Sequence, residues 1–407
     1  MTFYQDTLQN GLTVIGERGA TATCTALGFF VRTGARDETP EISGVSHFLE
    51  HMMFKGTPTR SALDLTYALG SIGAQSNAYT SEETTVYYTY VLPEYFEQAF
   101  DILSDMLRPS LDPQEFATEK NVILEEIALY EDRPVFKLYE AALQEYFTGH
   151  VAGSSVLGTT ESVSGISVEQ MRAYFDARYV PSNITLVVAG DFDWQRVVAL
   201  ANERCGGWEN APAERKTAPH TPLQREKDLF KKDLQMAHVC MMGPGPSATD
   251  ELRYPAAVLA CLLGDSTGSR IYWELVDKGL AEAATVDADD MDGVGFFYAY
   301  ASCEPERLHE VEGVLRGILA SPTQFTDDDL ARAKTKIATR LVLGGESTPR
   351  RLMALGNEWM YRKRYQPVAE ELKLIEAIRR EDVMRLLEAF PFAPFTTVRM
   401  LPEAASS

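Results

Sequence analysis

Long apolar runs are missing from this sequence. No stretch approaches 18 uninterrupted apolar residues, the length a membrane-spanning helix needs, so a membrane is not an expected partner. The opening MTFYQDTLQNGLTVI lacks a basic segment followed by an apolar one, so no secretory signal is expected and the cytoplasm is the expected location. Cysteine is sparse and shows no pairing pattern. Cys24, Cys205, Cys240, Cys261 and Cys303 are scattered, odd in number and without a C-x-x-C pair, which argues against a disulfide framework and a cysteine zinc site. They read as small buried apolar residues. Positive charge is also short: 38 Lys and Arg against 59 Asp and Glu leave a formal charge of −21. That balance repels nucleic-acid phosphate and anionic lipid and favours cationic partners or peptides.

What remains is an ordinary globular composition, 45% apolar and 24% charged. At 407 residues the chain exceeds one common core, so two domains are expected. LTVIGER and TALGFFVRTG read as strands, followed by a helix around His47, a helix over Ala62 to Leu69 and a strand pair in NAYTSEETTVYYTYVL. Helical periodicity then runs through EYFEQAFDILSDML, PQEFATEKNVILEEIALYE and PVFKLYEAALQEYF, and a helix in SVEQMRAYFDARY precedes the strand NITLVVAGDF. The class is α+β. Glycine, proline and charge concentrate without periodicity from Cys205 to Asp228, giving expected domains at 1–208 and 229–407 joined by a linker over 209–228.

The second half repeats the first. Leu111 and Phe325, Phe116 and Leu330, Lys120 and Lys334, and Ile123 and Ile337 each lie 214 positions apart, while ISVEQMRAYF matches IRREDVMRLL at an offset of 212. Each of the latter leads into a closing strand, ITLVVAG or TTVRMLP. A duplicated fold is expected, each copy a mostly antiparallel sheet packed with helices.

HFLEHMMF, His47 to Phe54, places two histidines and a glutamate in an apolar neighbourhood. Residues at i and i+4 share a helix face, so His47 and His51 point the same way with Glu50 beside them. Phe48, Leu49, Met52, Met53 and Phe54 fill the rest of the circumference, so this helix is expected to be enclosed by protein. Two imidazoles and a carboxylate are costly there unless a cation compensates. H-x-x-E-H is the inverted zinc-protease signature, in which the histidines hold Zn²⁺ and the glutamate activates water. A third ligand comes best from EKNVILEEIALYEDRP, where Glu119 and Glu126 are seven residues apart and share a face. Glu126 is the expected ligand and Glu119 its neighbour. The repeat has Ala333 and Arg340 at these positions, and PAAVLACLLGD in place of the histidine helix. Only the first half is expected to hold metal.

SHFLEHMMFKGT, NAYTSEETTVYY and EKNVILEEIALYEDRP, in this order and spacing, resemble the pitrilysin-type, insulinase-like zinc peptidases of family M16. The resemblance spans the whole chain and suits the short two-domain members, mitochondrial processing peptidase and its bacterial relatives among them. It implies zinc held by His47, His51 and Glu126, Glu50 as general base, Glu119 supporting the site beside the third ligand, and Glu83 behind a ligand histidine. It further implies an unfolded peptide added as a strand along Asn77, Ala78, Tyr79 and Thr80, cut inside a chamber.

The second half departs from the family pattern. Relatives carry an arginine and a tyrosine that hold substrate over the metal. GSRIYWELVDKGLAEAATV supplies Arg270, but its loop is one residue shorter and Glu282 stands where tyrosine is expected; Tyr272 and Tyr298 are alternative phenols. An ionised glutamate donates no hydrogen bond and opposes an oxyanion. The expectation is therefore the zinc-bearing subunit of a heterodimer in preference to a homodimer. Val151 and Ala152 also replace a His-Pro common in relatives. The competing readings are a non-catalytic assembly subunit, as some family members are, and a zinc hydrolase of a non-peptide amide.

Overall fold

A computed structural model describes residues 1–215 and 217–403. Lys216, inside the expected linker, and residues 404–407, at the end of the expected second domain, lie outside the described residues. In chain order the first half contains β1 (Thr2–Thr7), β2 (Thr13–Arg18), β3 (Thr25–Val31), α1 (Val45–Met52), α2 (Ala62–Ser71), β4 (Gln75–Thr80), β5 (Thr85–Val91), α3 (Phe96–Met106), α4 (Pro113–Glu131), α5 (Pro134–Tyr146), α6 (Thr160–Gly165), α7 (Val168–Arg178), β6 (Ile184–Gly190) and α8 (Trp194–Cys205). The second contains β7 (Arg225–Lys231), β8 (Ala237–Gly245), α9 (Arg253–Gly264), β9 (Ala283–Asp290), β10 (Gly295–Cys303), α10 (Leu308–Ala320), α11 (Asp327–Gly345), α12 (Thr348–Arg362), α13 (Val368–Ala377), α14 (Arg380–Ala389) and β11 (Thr396–Pro402). The class is α+β and the duplication is visible: Lys120 donates to the carbonyls of Ser164 and Ile166, and Lys334 does the same to Glu376 and Ile378.

The chain forms two compact units, each discontinuous. The first comprises Met1–Ala128, Ser154–Lys216 and Leu343–Gln366; the second comprises Leu129–Gly153, Thr217–Val342 and Pro367–Ser407. Consequently α5, from the first half, packs on β8 and β11, and α12, from the second, packs on β6 and β3.

The first unit's sheet runs β1-β2-β6-β3-β5-β4. β6, seven residues buried throughout, slots between β2 and β3, parallel to β2 (Val14 opposite Leu186) and antiparallel to β3 (Leu27 opposite Val188). Its β-branched, apolar composition suits a strand covered on both faces. β4 is left at an edge, paired only through β5, with Asn77 opposite Tyr88. The segment read as a linker is anchored at Arg215, whose buried guanidinium forks onto Asp37 (3.0 and 2.6 Å). The second unit's sheet, β7-β11-β8-β10-β9, repeats the plan with one parallel pair, β7 with β11.

Candidate metal centre

α1 is short and its entry is tightly specified. Gly44 precedes it at φ +92°, and a Cβ there would meet the Leu157 carbonyl oxygen at 2.6 Å, so only glycine suits the turn. Gly44 offers no side-chain cap. Glu38 supplies one from the preceding loop, accepting the amides of Gly44 and Ser46 at 2.7 and 2.8 Å. Burial pushes the Glu38 carboxyl up to about 8 against those hydrogen bonds. Val45, Ser46, His47, Phe48, Leu49 and Met52 are buried, the enclosed helix expected from the composition.

α4 buries Phe116, Glu119, Ile123 and Ile127 along one stripe. The Phe116 ring stacks on Phe48, centroids 4.5 Å apart, which fixes α4 against the histidine helix one turn before Glu119. Glu126 then reaches the histidines. Its Oε2 lies 3.5 Å from His51 Nε2 and 3.8 Å from His47 Nε2, and one ligand atom from each of the three lies within 4.8 Å of the others.

These residues fit a zinc ion. Two donors at 2.0–2.1 Å on a tetrahedral centre sit about 3.4 Å apart, close to the separations of Glu126 from both imidazoles. The protonation pattern agrees. His51 Nδ1 lies 2.9 Å from Glu119 Oε1, so Nε2 is the ring nitrogen that faces Glu126 and is placed to meet an ion. Lys55, one turn after His51, pairs with the other Glu119 oxygen. Burial raises the Glu119 carboxyl, but Lys55 and His51 outweigh it and hold it below its ordinary value. Burial, with His51 nearby, drives His47 down to about 3, so it stays a neutral donor.

Glu50 has a partner of its own on the neighbouring strand. Thr80, the last residue of β4, donates its hydroxyl to Glu50 Oε2 at 2.6 Å. Burial pushes the Glu50 carboxyl up, while Thr80 and His51 pull it down and Glu126 raises it.

The structure thus brings together His47, His51, Glu126, Glu50, Glu119 and Thr80. Asn77 is exposed, Ala78 buried and Tyr79 half-buried on the same edge strand. Glu83 takes a different place from the one expected. Its carboxylate engages Arg36, Arg215 (3.8 Å) and the Tyr361 hydroxyl (2.7 Å), while His47 Nδ1 is buried without a hydrogen-bond partner among the described residues. Two buried guanidinium groups and a half-buried phenol claim the carboxylate, so it braces α12 and the chain near Arg215 instead of an imidazole. Arg270 belongs to the second unit, its guanidinium tied to the carbonyl of Ser321, the Ser321 hydroxyl (2.9 Å) and Gln324 (2.9 Å) beyond the end of α10. Glu282, just before β9, donates its amide to the Ser302 carbonyl (2.9 Å). The sequence reading missed Glu38 and the bond between Thr80 and Glu50. Lys55 carried a signal, four residues after His51.

Comparison with known proteins shows the family. Residues 13–160 match the model of the family described as insulinase (peptidase family M16), and residues 165–337 match the peptidase M16 inactive domain. The chain belongs to peptidase family M16. An uncharacterized zinc protease of Streptomyces coelicolor is 32% identical over 394 residues, covering 94% of this chain and 86% of the relative. One from Bacillus subtilis is 31% identical over 381 residues, covering 93% of each. In fold, the chain is similar to a protease from Helicobacter pylori, with a TM-score of 0.90 at 21% identity over 98% of this chain and 99% of that one.

Proposed function

We propose that this protein is a zinc endopeptidase that cuts unfolded peptides. The convergence of His47, His51 and Glu126 around one point, with the Glu50 carboxylate held beside them by Thr80, carries the reading. His47 and His51 would hold the ion through Nε2 and Glu126 through Oε2. When bound, zinc polarises the scissile carbonyl and lowers the pKa of its water to ~7.

The chain's own groups do the rest. Glu50, raised by burial, takes a proton from the attacking water and returns it to the departing amine, leaving a carboxylate and an amine as products. Glu119 fixes the His51 tautomer, and Lys55 fixes Glu119. β4 lies at a sheet edge, where an extended peptide pairs by main-chain hydrogen bonds, a mode indifferent to most side chains. The net charge of −21 favours basic segments. Among the described residues no helix is long and apolar enough to cross a membrane.

A second subunit is part of the reading. Arg270 is engaged at the end of α10, and Glu282 stands where relatives place a phenol, so the donors that grip substrate would come from a partner chain, a heterodimer in preference to a homodimer. Quenched-peptide cleavage together with metal analysis tests the whole. E50Q should keep wild-type zinc and lose turnover by about 10²-fold or more, whereas H51A should lose both. Undiminished cleavage by E50Q would rule the mechanism out.

A further inference from the structure

The offset of 214 that aligns α4 with α11 also aligns α1 with the end of α9. Cys261 falls at the place of His47, Gly264 at Glu50, Asp265 at His51 and Arg340 at Glu126. The structure gives this alignment physical content. Cys261 Sγ lies 3.6 Å from Asp265 Oδ2, and the same carboxylate oxygen pairs with Arg340. Lys336 reaches the other oxygen, Oδ1, at 3.1 Å. The Asp265 carboxylate side chain is 2% exposed. Burial raises its pKa, yet the hydrogen bonds from Lys336, the Thr267 amide and Arg340 outweigh this and keep it ionised.

The room beside it is also filled. A Cβ at residue 264 would stand 1.9 Å from the Val286 amide nitrogen, and Thr285 donates to the Gly264 carbonyl at 3.1 Å. Where the first unit keeps a general base, the second lays strand β9 against bare backbone.

We propose that the second unit retains the metal frame in a charge-replaced form, with the Arg340 guanidinium and Lys336 ammonium supplying Asp265 with the positive charge that a divalent ion supplies to the first unit. This rests on the metal reading of the first unit only for the analogy; its own test counts ions separately. Cys261 and Lys336, at the edge of this frame, border a cavity of about 540 Å³.

Removing the cations and adding a donor should reopen the frame. The full-length variant R340E/K336M sets a thiol and two carboxylates together, a donor set that suits cadmium. Titrated with cadmium, it should take up one equivalent more than wild type and develop a thiolate-to-cadmium absorption band that the further change C261S removes. A folded double variant with wild-type stoichiometry would overturn the proposal. Failure of wild type to bind any ion would count against the first site while leaving this difference readable. If the double variant does not fold, a thermal cycle decides: R340Q should lower Tm in the native background and leave D265N unshifted, and equal shifts in both would overturn the proposal.

Discussion

Thr80 sits at the junction of two tasks, closing the edge strand expected to receive peptide and holding one oxygen of Glu50. A hydrogen bond to a charged group contributes about 1.5–3 kcal/mol, equivalent to roughly 10–100-fold in rate if it serves only the transition state. T80V should therefore lower kcat by that order with KM and zinc content unchanged, and T80S should recover most of it; a loss confined to KM would instead make Thr80 a substrate contact. Glu38 gives a prediction in pH. Its native pKa, about 8, lies above the ordinary 4.5, so the native acid keeps its proton where the unfolded one has lost it. Its contribution is complete below about 4.5 and is lost as pH rises toward 8. Urea melts of metal-free protein should show that slope, and E38Q should flatten it. The candidate ligands His47, His51 and Glu126, with Glu119 beside them, were legible in the sequence because the spacings of four (His47 to His51) and seven (Glu119 to Glu126) residues are helix periods. Glu38, Thr80 and the true company of Glu83 were not, since each acts across loops or strands, and Tyr361 is 278 positions from Glu83.

At the level of elements, the exchange of α5 and α12 was the least visible feature. Amphipathic periodicity tells that a helix has a buried face and nothing about which sheet covers it. Side chains decide it. Arg351 of α12 forks onto Glu17 of β2 at 2.7 and 2.8 Å, both buried, and the Tyr365 hydroxyl donates to the same carboxylate at 2.6 Å. Breaking a buried pair by removing one partner costs about 3–5 kcal/mol because the other charge remains. R351M should lower unfolding stability by that amount, whereas replacing both partners with apolar residues should recover much of it. The strands were easier to find than to order. β2 and β3 are consecutive in sequence, yet β6 lies between them, a placement set by the return of a fully buried strand that begins 153 positions after β3 ends and not by any local turn.

Across the whole molecule, duplication provides two copies of one frame and the chain equips them differently. In the first unit His47, His51 and Glu126 converge and are proposed to take up an external cation; in the second, Asp265 already has Arg340 and Lys336. The offset of 214 placed Asp265 and Arg340 at the positions of His51 and Glu126, but spacing alone does not tell that the two side chains meet, which is a matter of tertiary contact. The central claim is that α1 and α4 together hold one divalent ion. Zinc titration of metal-free wild type, E50Q, H47A, H51A and E126A tests it most directly: one tight equivalent in the first two and none in the other three is the predicted result, and wild-type zinc binding by H51A and E126A would contradict it.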